Sequence, residues 1–321
     1  MIYLSMTSKV FLFFTIIISL QAFSKVPKEI LQISHHENLN STVLIVDKTE
    51  RLLYIYQEKD ANIILDKTFP VDIGRGLGKK EKRVDLKTPE GIYFLVDTKT
   101  QPEIPFQTYG KLAFISDFPN PFDKLEQKTG DGIWLHGVPD TVSLERGSKG
   151  CVVVRNSTLD YLKNLVMTGT TALIIKDKID WVEKIDPEIQ KPIFNFFSSW
   201  LNSWQEKSNN YFDMYSVEFK SSQFTNLKRF IEHKKNVFNS SKHINIKFDP
   251  LLIIQDKNQI IVTGIQIYSG DTLADRGIKT IYLKAEGDQK KIISEKWLPT
   301  HFSPTILESL ASDTKVPTPT N

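Results

Sequence analysis

Trp134-Leu135-His136-Gly137 and, twelve positions after the histidine, Ser148-Lys149-Gly150-Cys151 are the stretch on which the reading of this chain turns. Cys151 is the single cysteine in 321 residues, so no internal disulfide can form. A thiol is mostly protonated near neutral pH and needs a base or a cation to become the reactive thiolate. His136 on a neighbouring strand can be that base, provided its other ring nitrogen is held in place. Gly150 lets the backbone approach a substrate closely. The amides of Gly150 and Cys151 can point at a developing oxyanion, where stabilisation counts most. Ser148 can accept or donate the bond that holds the turn. The competing reading is an inert thiol in the Val-rich strand Cys151-Val152-Val153-Val154 beside a satisfied core histidine.

Outward from this stretch the chain reads as strands. Thr42–Val46 and Leu52–Tyr56 flank the polar turn Asp47-Lys48-Thr49-Glu50 and form a hairpin. Further strands are expected at Ile63–Asp72, Ile92–Val96 after the turn Thr88-Pro89-Glu90-Gly91, Ile133–His136, Cys151–Val154 and Thr171–Lys176. Gly74–Gly78 and the basic run behind it lack a following helix start, so they read as a mobile, solvated loop rather than a phosphate cradle. Ser157 can cap a helix from Thr158 to Met167. Residues 40–181 are thus a β-rich unit with short helices.

The pattern changes at Asp186-Pro187. Ile193, Phe196, Phe197, Trp200, Leu201 and Trp204 recur at helical spacing, and Tyr211, Tyr215 and Phe219 continue an aromatic face. A second helical pattern passes through Phe224, Leu227, Phe230 and Ile231. Strand-like stretches follow at Ile244–Phe248, Leu251–Gln255, Ile260–Tyr268, Ile278–Ala285 and Lys291–Trp297. Residues 186–300 therefore read as an α+β unit. Its acidic residues are expected mostly in turns or beside lysines, with no catalytic acid–base pair. Residues 25–40 read as a polar lead-in and 309–321 as a disordered tail. Lys9, the apolar run Val10–Leu20 and Ala22-Phe23-Ser24 read as a signal peptide over residues 1–24, shorter than a spanning helix. The mature chain is then exported, with no stable membrane span.

A net charge of +3 and a pI of about 8.6 are too mild to imply nucleic acid, but suit an anionic polymer. No zinc-ligand spacing, Walker loop or dinucleotide motif is present, so no metal or cofactor is expected.

Residues 40–180 resemble the L,D-transpeptidases of the YkuD type. His136 followed by Ser148-Lys149-Gly150-Cys151 is similar to that family's His…Ser/Thr-His-Gly-Cys. The hairpin, the Thr88–Gly91 turn and Tyr109-Gly110 leading to Phe118-Pro119-Asn120 also fit. The resemblance implies a mainly β catalytic domain, a sandwich or barrel with short helices, in which Cys151 is nucleophile, His136 its base and the Gly137 carbonyl the group that orients the imidazole. Ser148, Lys149 and Gly150 would form the oxyanion turn; Arg155, Trp134 and Tyr109 are candidates for substrate binding. For Trp134 core packing and for Arg155 a structural ion pair are the competing roles. The sequence departs from the family in having Lys149 in place of a histidine, and Val153 where many members carry Arg or Asn.

The second unit resembles the NTF2-like fold, a curved sheet on helices with a cone pocket, which makes Tyr268 and Trp297 candidate pocket walls. The two units together resemble the periplasmic, wall-associated L,D-carboxypeptidases that trim tetrapeptide stems of peptidoglycan to tripeptides and set cell shape. A transpeptidase that forms 3–3 cross-links or attaches proteins to the wall is one alternative, and a non-catalytic wall-binding protein another.

Overall fold

The computed structural model describes residues 25–299 apart from 37, 38, 40, 272 and 288. The expectations for residues 1–24 and 309–321 lie outside the described residues. Thr42–Asp47 is buried at every position, as a strand covered on both faces must be, and its β-branched and leucine side chains fill both sides. It pairs antiparallel with Leu52–Lys59 and parallel with Ala172–Lys176. An eight-stranded sheet grows around this pair, in the spatial order Asn62–Pro70, Leu52–Lys59, Thr42–Asp47, Ala172–Lys176, Gly91–Thr100, Leu112–Ser116, Trp134–Val138, Val152–Arg155. Its far end is the second parallel pair, Trp134–Val138 with Val152–Arg155. The sheet curls enough for Leu44, Leu95, Leu135, Val152 and Leu173 to share one core.

Two local readings change. The helix expected from Thr158 runs over Asn156–Leu162, with Arg155 at its N-terminal boundary and Ser157 inside it. Chain direction already turns helical at Asn156, whose side chain bonds elsewhere instead of capping. The two stretches 244–248 and 251–255 are one strand, Ile244–Asp256; Asp249-Pro250 makes a bulge between Pro250 and Leu252 rather than a break.

The second unit is a five-stranded antiparallel sheet in the order Gln289–Pro299, Ala274–Glu286, Gln259–Gly270, Ile244–Asp256, Ile30–Ile33. Helices Pro187–Gln205 and Leu227–Ser240 pack across it, joining Trp200, Phe230, Tyr211, Ile253 and Ile281 in one aromatic-rich core. The polar lead-in does not survive as such. Val26–Pro27 pairs with Trp181–Val182, and Ile30–Ile33 is the fifth strand of the second sheet, with Ile30 fully buried.

A third core joins the units: Ile30, Val43, Phe94 and Ile174 pack with Leu252, Ile261 and Tyr282. Polar contacts flank it. Lys176 sits between Glu29 at 3.1 Å and Asp256 at 2.8 Å. Asp117, at the end of the Leu112–Ser116 strand, accepts bonds from Tyr282 Oη at 3.2 Å and from the Lys296 ammonium.

Candidate active site

The turn before Cys151 is built by its own serine. Ser148 Oγ accepts the Gly150 amide at 3.0 Å and donates to the Cys151 carbonyl at 2.7 Å. Gly150 has φ +130°, and a Cβ there would stand 2.8 Å from the Lys87 carbonyl, so the position requires glycine. The turn is also tied down from outside. Ser148 N donates to Ile73 O at 2.7 Å, and Arg75 N donates to Ser148 O at 3.1 Å. Asp72, 1% exposed, accepts the Gly147 amide at 2.8 Å and the Ile73 amide at 3.0 Å while it pairs with Arg51. The 74–83 stretch is a largely exposed loop, as expected, but it is fastened at three points. Gly74 bridges to Ser148, Gly76 bridges to Lys87, and Lys80 is buried. Glycine at 74 permits the close approach, since a Cβ would lie 2.3 Å from Leu86 O.

His136 stands on the neighbouring strand, paired in parallel with Val153. Residues two apart on a strand share a face, so His136, Val153 and Cys151 lie on one side of the sheet. His136 Nδ1 is 2.7 Å from Gly137 O. A carbonyl only accepts, so Nδ1 carries the proton and Nε2 keeps its lone pair. Tyr109 packs edge-on to the imidazole, 5.0 Å between centroids, and its ring meets half-buried Trp134 at 4.8 Å. Asn156 clamps this corner: Nδ2 donates to Val138 O at 2.9 Å and Oδ1 accepts the Lys111 amide at 2.9 Å. Its Oδ1 would lie 2.4–2.5 Å from a Cβ at Gly110 or Gly137, which explains both glycines.

Burial pushes the His136 imidazole down to about 4; the Gly137 bond opposes this and the Arg146 charge adds to it. The histidine is thus neutral across the physiological range. Burial raises the Cys151 thiol, opposed by the Trp134 backbone amide and the charge of Lys80. The half-buried thiol donates to Gly132 O at 3.4 Å. A neutral imidazole with a fixed tautomer, on the same face of the sheet as a protonated thiol, is equipped to take the sulfur's proton as the sulfur attacks.

Lys149 is exposed. Among the described residues Arg155 forms no ion pair; its Nη1 donates to Val142 O at 2.6 Å and to Asp140 O at 3.5 Å, fastening the segment between His136 and the cysteine turn. Asp72, Lys80 and Asn156 were not singled out from sequence. Asp72 and Asn156 act through main-chain partners far away in the chain, Gly147 for the one and Lys111 and Val138 for the other, and Lys80 through a local loop whose burial no sequence pattern announces.

Trp297 lines a small cavity of about 50 Å³ with Phe224, Lys279 and Glu295, whereas Tyr268 packs against the core, 6.2 Å from the Trp204 ring. They do not share that cavity. Glu295 stands beside Lys296 in the sequence, as expected, but not in a turn. It is a buried strand residue paired with Lys279 and bonded by Tyr215 Oη at 2.6 Å. Near them the Lys234 ammonium lies 3.8 Å above the Trp204 ring, and burial pushes it down to about 7. A cleft of about 1160 Å³ opens between Ile33–His35, Glu58–Ile64 and Glu183–Ile185, with none of the site residues in its lining. Among the described residues no cluster of three or more His, Cys, Asp or Glu could hold a metal, and no helix is long and apolar enough to cross a membrane.

Known proteins share this arrangement. Residues 41–175 match the YkuD family, L,D-transpeptidase catalytic domain, and residues 192–296 match the Cds6 C-terminal NTF2-like domain. The structure of Bdellovibrio bacteriovorus Bd1075 is similar at 38% identity and a TM-score of 0.73, over 87% of this chain and 100% of that one. The helical cell shape determining protein Pgp2 of Campylobacter jejuni is similar at 27% identity and a TM-score of 0.62, over 84% of this chain and 95% of that one. YafK of Escherichia coli strain K12, provisionally named an L,D-transpeptidase, is 28% identical over 169 residues, 52% of this chain. The match spans 59% of the length of that curated relative. A catalytic domain at 41–175 joined to a second domain at 192–296, with a 38%-identical relative matched over its whole length, places the chain in the YkuD L,D-transpeptidase family, in the branch that carries a Cds6-type NTF2-like domain.

Proposed function

We propose that the protein is an exported, periplasmic L,D-carboxypeptidase that removes the terminal D-Ala from tetrapeptide stems of peptidoglycan and thereby influences cell shape. The observation that carries this reading is the lone Cys151 beside a neutral His136 whose Nδ1 is held by Gly137 O. The joint likeness of both domains to the helical cell shape determining protein Pgp2 supports the role in cell shape; the choice of hydrolysis over cross-linking rests on the two-domain architecture alone, as an analogy.

In this reading Cys151 Sγ attacks the carbonyl carbon between meso-diaminopimelate and D-Ala while His136 Nε2 takes the thiol proton. The Cys151 amide, in the turn that Ser148 holds through the Gly150 amide, faces the tetrahedral oxyanion; Lys149 contributes its backbone. The C–N bond breaks, the departing D-Ala amine receives the proton from His136, and a thioester remains. His136 then deprotonates water, which attacks the thioester; the C–S bond breaks and the thiol is restored. Tyr109 and Trp134 wall the histidine side of the cleft, and Arg155 shapes it by holding the 138–147 segment. The NTF2-like domain positions the enzyme on the wall, with Tyr268 and Trp297 as residues to vary.

Incubation with purified muropeptides tests this. Loss of one D-Ala without dimers supports the carboxypeptidase. Dimers linked through diaminopimelate identify a transpeptidase. No product, together with no acylation of Cys151 by a carbapenem, identifies a wall-binding protein.

A further inference from the structure

Lys80 is 3% exposed, unusual for a lysine, and the loop around it is arranged to keep it so. Its ammonium donates to Asp85 Oδ1 at 2.6 Å and to Lys82 O at 3.0 Å. The same carboxylate accepts the amides of Glu81 at 2.9 Å, Lys82 at 3.1 Å and Lys87 at 3.1 Å. On either side of Asp85, Val84 and Leu86 have φ +57° and +61°, a region that β-branched residues rarely enter. Val84 is 83% exposed, so packing does not hold it there; the carboxylate's bonds do.

This loop meets Cys151 on two sides. Lys80 Cε would stand 3.4 Å from a Cβ at Gly130, and its ammonium is 5.9 Å from the Phe118 ring. Thr129 N donates to Glu81 O at 2.9 Å, Arg83 N donates to Thr129 Oγ1 at 3.2 Å, and Arg83 pairs with Asp131. The segment so gripped ends at Gly132, whose carbonyl accepts the thiol. On the other side the Lys87 carbonyl abuts Gly150.

The charged groups around the sulfur are few. His136 on the adjoining strand is neutral at pH 7. The Lys87 ammonium lies toward Gly78, Asp131 is paired with Arg83, and Lys149 is exposed on the turn itself. Arg146 acts on His136, and Asp85 is the counter-charge of Lys80.

We propose that Lys80 is a positioning residue for the Cys151 thiolate: its buried ammonium, fixed by Asp85, supplies the positive field that favours the anion, and the loop wrapped around it fixes the two segments that border the cysteine, the one ending at Gly132 and the turn at Gly150. The proposal rests on the reading of Cys151 as nucleophile. It also answers a need, since an imidazole that is neutral in the resting enzyme offers the sulfur no positive charge until it has taken the proton.

The unique cysteine makes the test direct, because alkylation of the full chain by iodoacetamide reports on Cys151 alone. The rate is measured against pH by intact mass for wild type, Lys80→Met, Lys80→Arg and Asp85→Asn, with a thermal melt of each. Lys80→Met should move the thiol titration upward by roughly one unit, about tenfold slower alkylation at pH 7. Lys80→Arg should keep most of the wild-type rate. Asp85→Asn, which removes the opposing charge, should move the titration downward. Equal titrations for wild type and Lys80→Met, or shifts of the same sign for Lys80→Met and Asp85→Asn, overturn the proposal. If Lys80→Met does not fold, the sign of the Asp85→Asn shift decides. Alkylation needs no wall substrate, so wild type that fails to cleave muropeptides overturns the proposed function alone. An unmoved titration with intact cleavage overturns this inference alone.

Discussion

The imidazole of His136 is oriented by the carbonyl of the very next residue, Gly137, at 2.7 Å from Nδ1. Among the described residues no carboxylate bonds the imidazole, so the histidine is held in one tautomer without being made more basic by a negative partner. His136→Gln should lower muropeptide turnover by about 10²–10⁴-fold, the range for a lost general base. Alkylation of Cys151 at high pH, where the thiolate forms without help, should persist in the variant. Equal losses in both assays would mean that the substitution disturbs the strand instead.

The same burial makes His136 a source of acid sensitivity. Its pKa falls from 6.5 to about 4 on folding, so between these values the unfolded chain binds more protons than the folded one. Stability should therefore drop as pH falls from about 6.5 to about 4, by on the order of 3 kcal/mol from this residue. Urea unfolding at several pH values, compared with His136→Gln, isolates the contribution; the variant should show a shallower dependence in that window.

Asp72 is a structural anchor for the cysteine turn, through Gly147, Ile73 and Arg51. Asp72→Ala strips two amides of their acceptor. Because Arg51 is partly exposed and can be solvated, the cost should be about 1–3 kcal/mol rather than the full penalty of a broken buried pair. The accompanying loss of activity should exceed what the folded fraction explains, which a denaturation curve and a turnover assay on one preparation will show.

Arg155 holds the segment between His136 and Cys151 by its carbonyls. Arg155→Met should change global stability by less than about 1 kcal/mol, the usual worth of one such bond. Limited proteolysis within residues 139–147 should speed up, and KM for the stem peptide should rise more than kcat falls. Unchanged cleavage kinetics and KM would remove Arg155 from the site.

Lys234 gives an opposite kind of variant. Burial lowers its ammonium from 10.5 to about 7, so the unfolded chain binds more protons between these values. The buried amine thus costs stability at and below pH 7, and the cost fades as pH rises toward 10.5. Lys234→Met keeps a flexible chain over Trp204 without the charge, and should raise Tm at pH 7 by a few degrees, with the gain shrinking at pH 10.

Much of the fold was legible because strands announce themselves by apolar runs bounded by turns. Thr42–Asp47, Leu52–Lys59 and Ala172–Lys176 stand within a few residues of their reading. The NTF2-like helices followed the spacing of Ile193, Phe197, Trp200 and Trp204, all buried on one core. What was hidden depends on long-range partners. Ile30–Ile33 is too short to declare itself, and its partner strand is Ile244–Asp256. At the site, Cys151, His136, Gly137, Ser148 and Gly150 are brought together on adjoining elements. Lys80 reads as one more basic residue of a surface loop until Asp85 and Gly130 are seen beside it. Glu295 looks like a solvent-facing neighbour of Lys296 until Lys279 is placed across the sheet.

The strand Ile30–Ile33 carries a further consequence, for the chain as it is made. Gln32 Nε2 donates to Pro250 O at 2.7 Å, across 218 residues of sequence. At ribosomal speeds of roughly 5–20 residues per second, Ile30-Leu31-Gln32-Ile33 waits on the order of ten to forty seconds for its partner to emerge. Throughout that interval the nascent catalytic half carries an unsatisfied, apolar strand, a template for mispairing with any exposed edge. The second sheet is thus the last part of the molecule able to finish, and it finishes by collecting a strand laid down near the start. A chaperone that shields this tetrapeptide during synthesis would protect the whole protein, and a reordered gene that placed it after Pro299 would let it emerge with its partner strand already made.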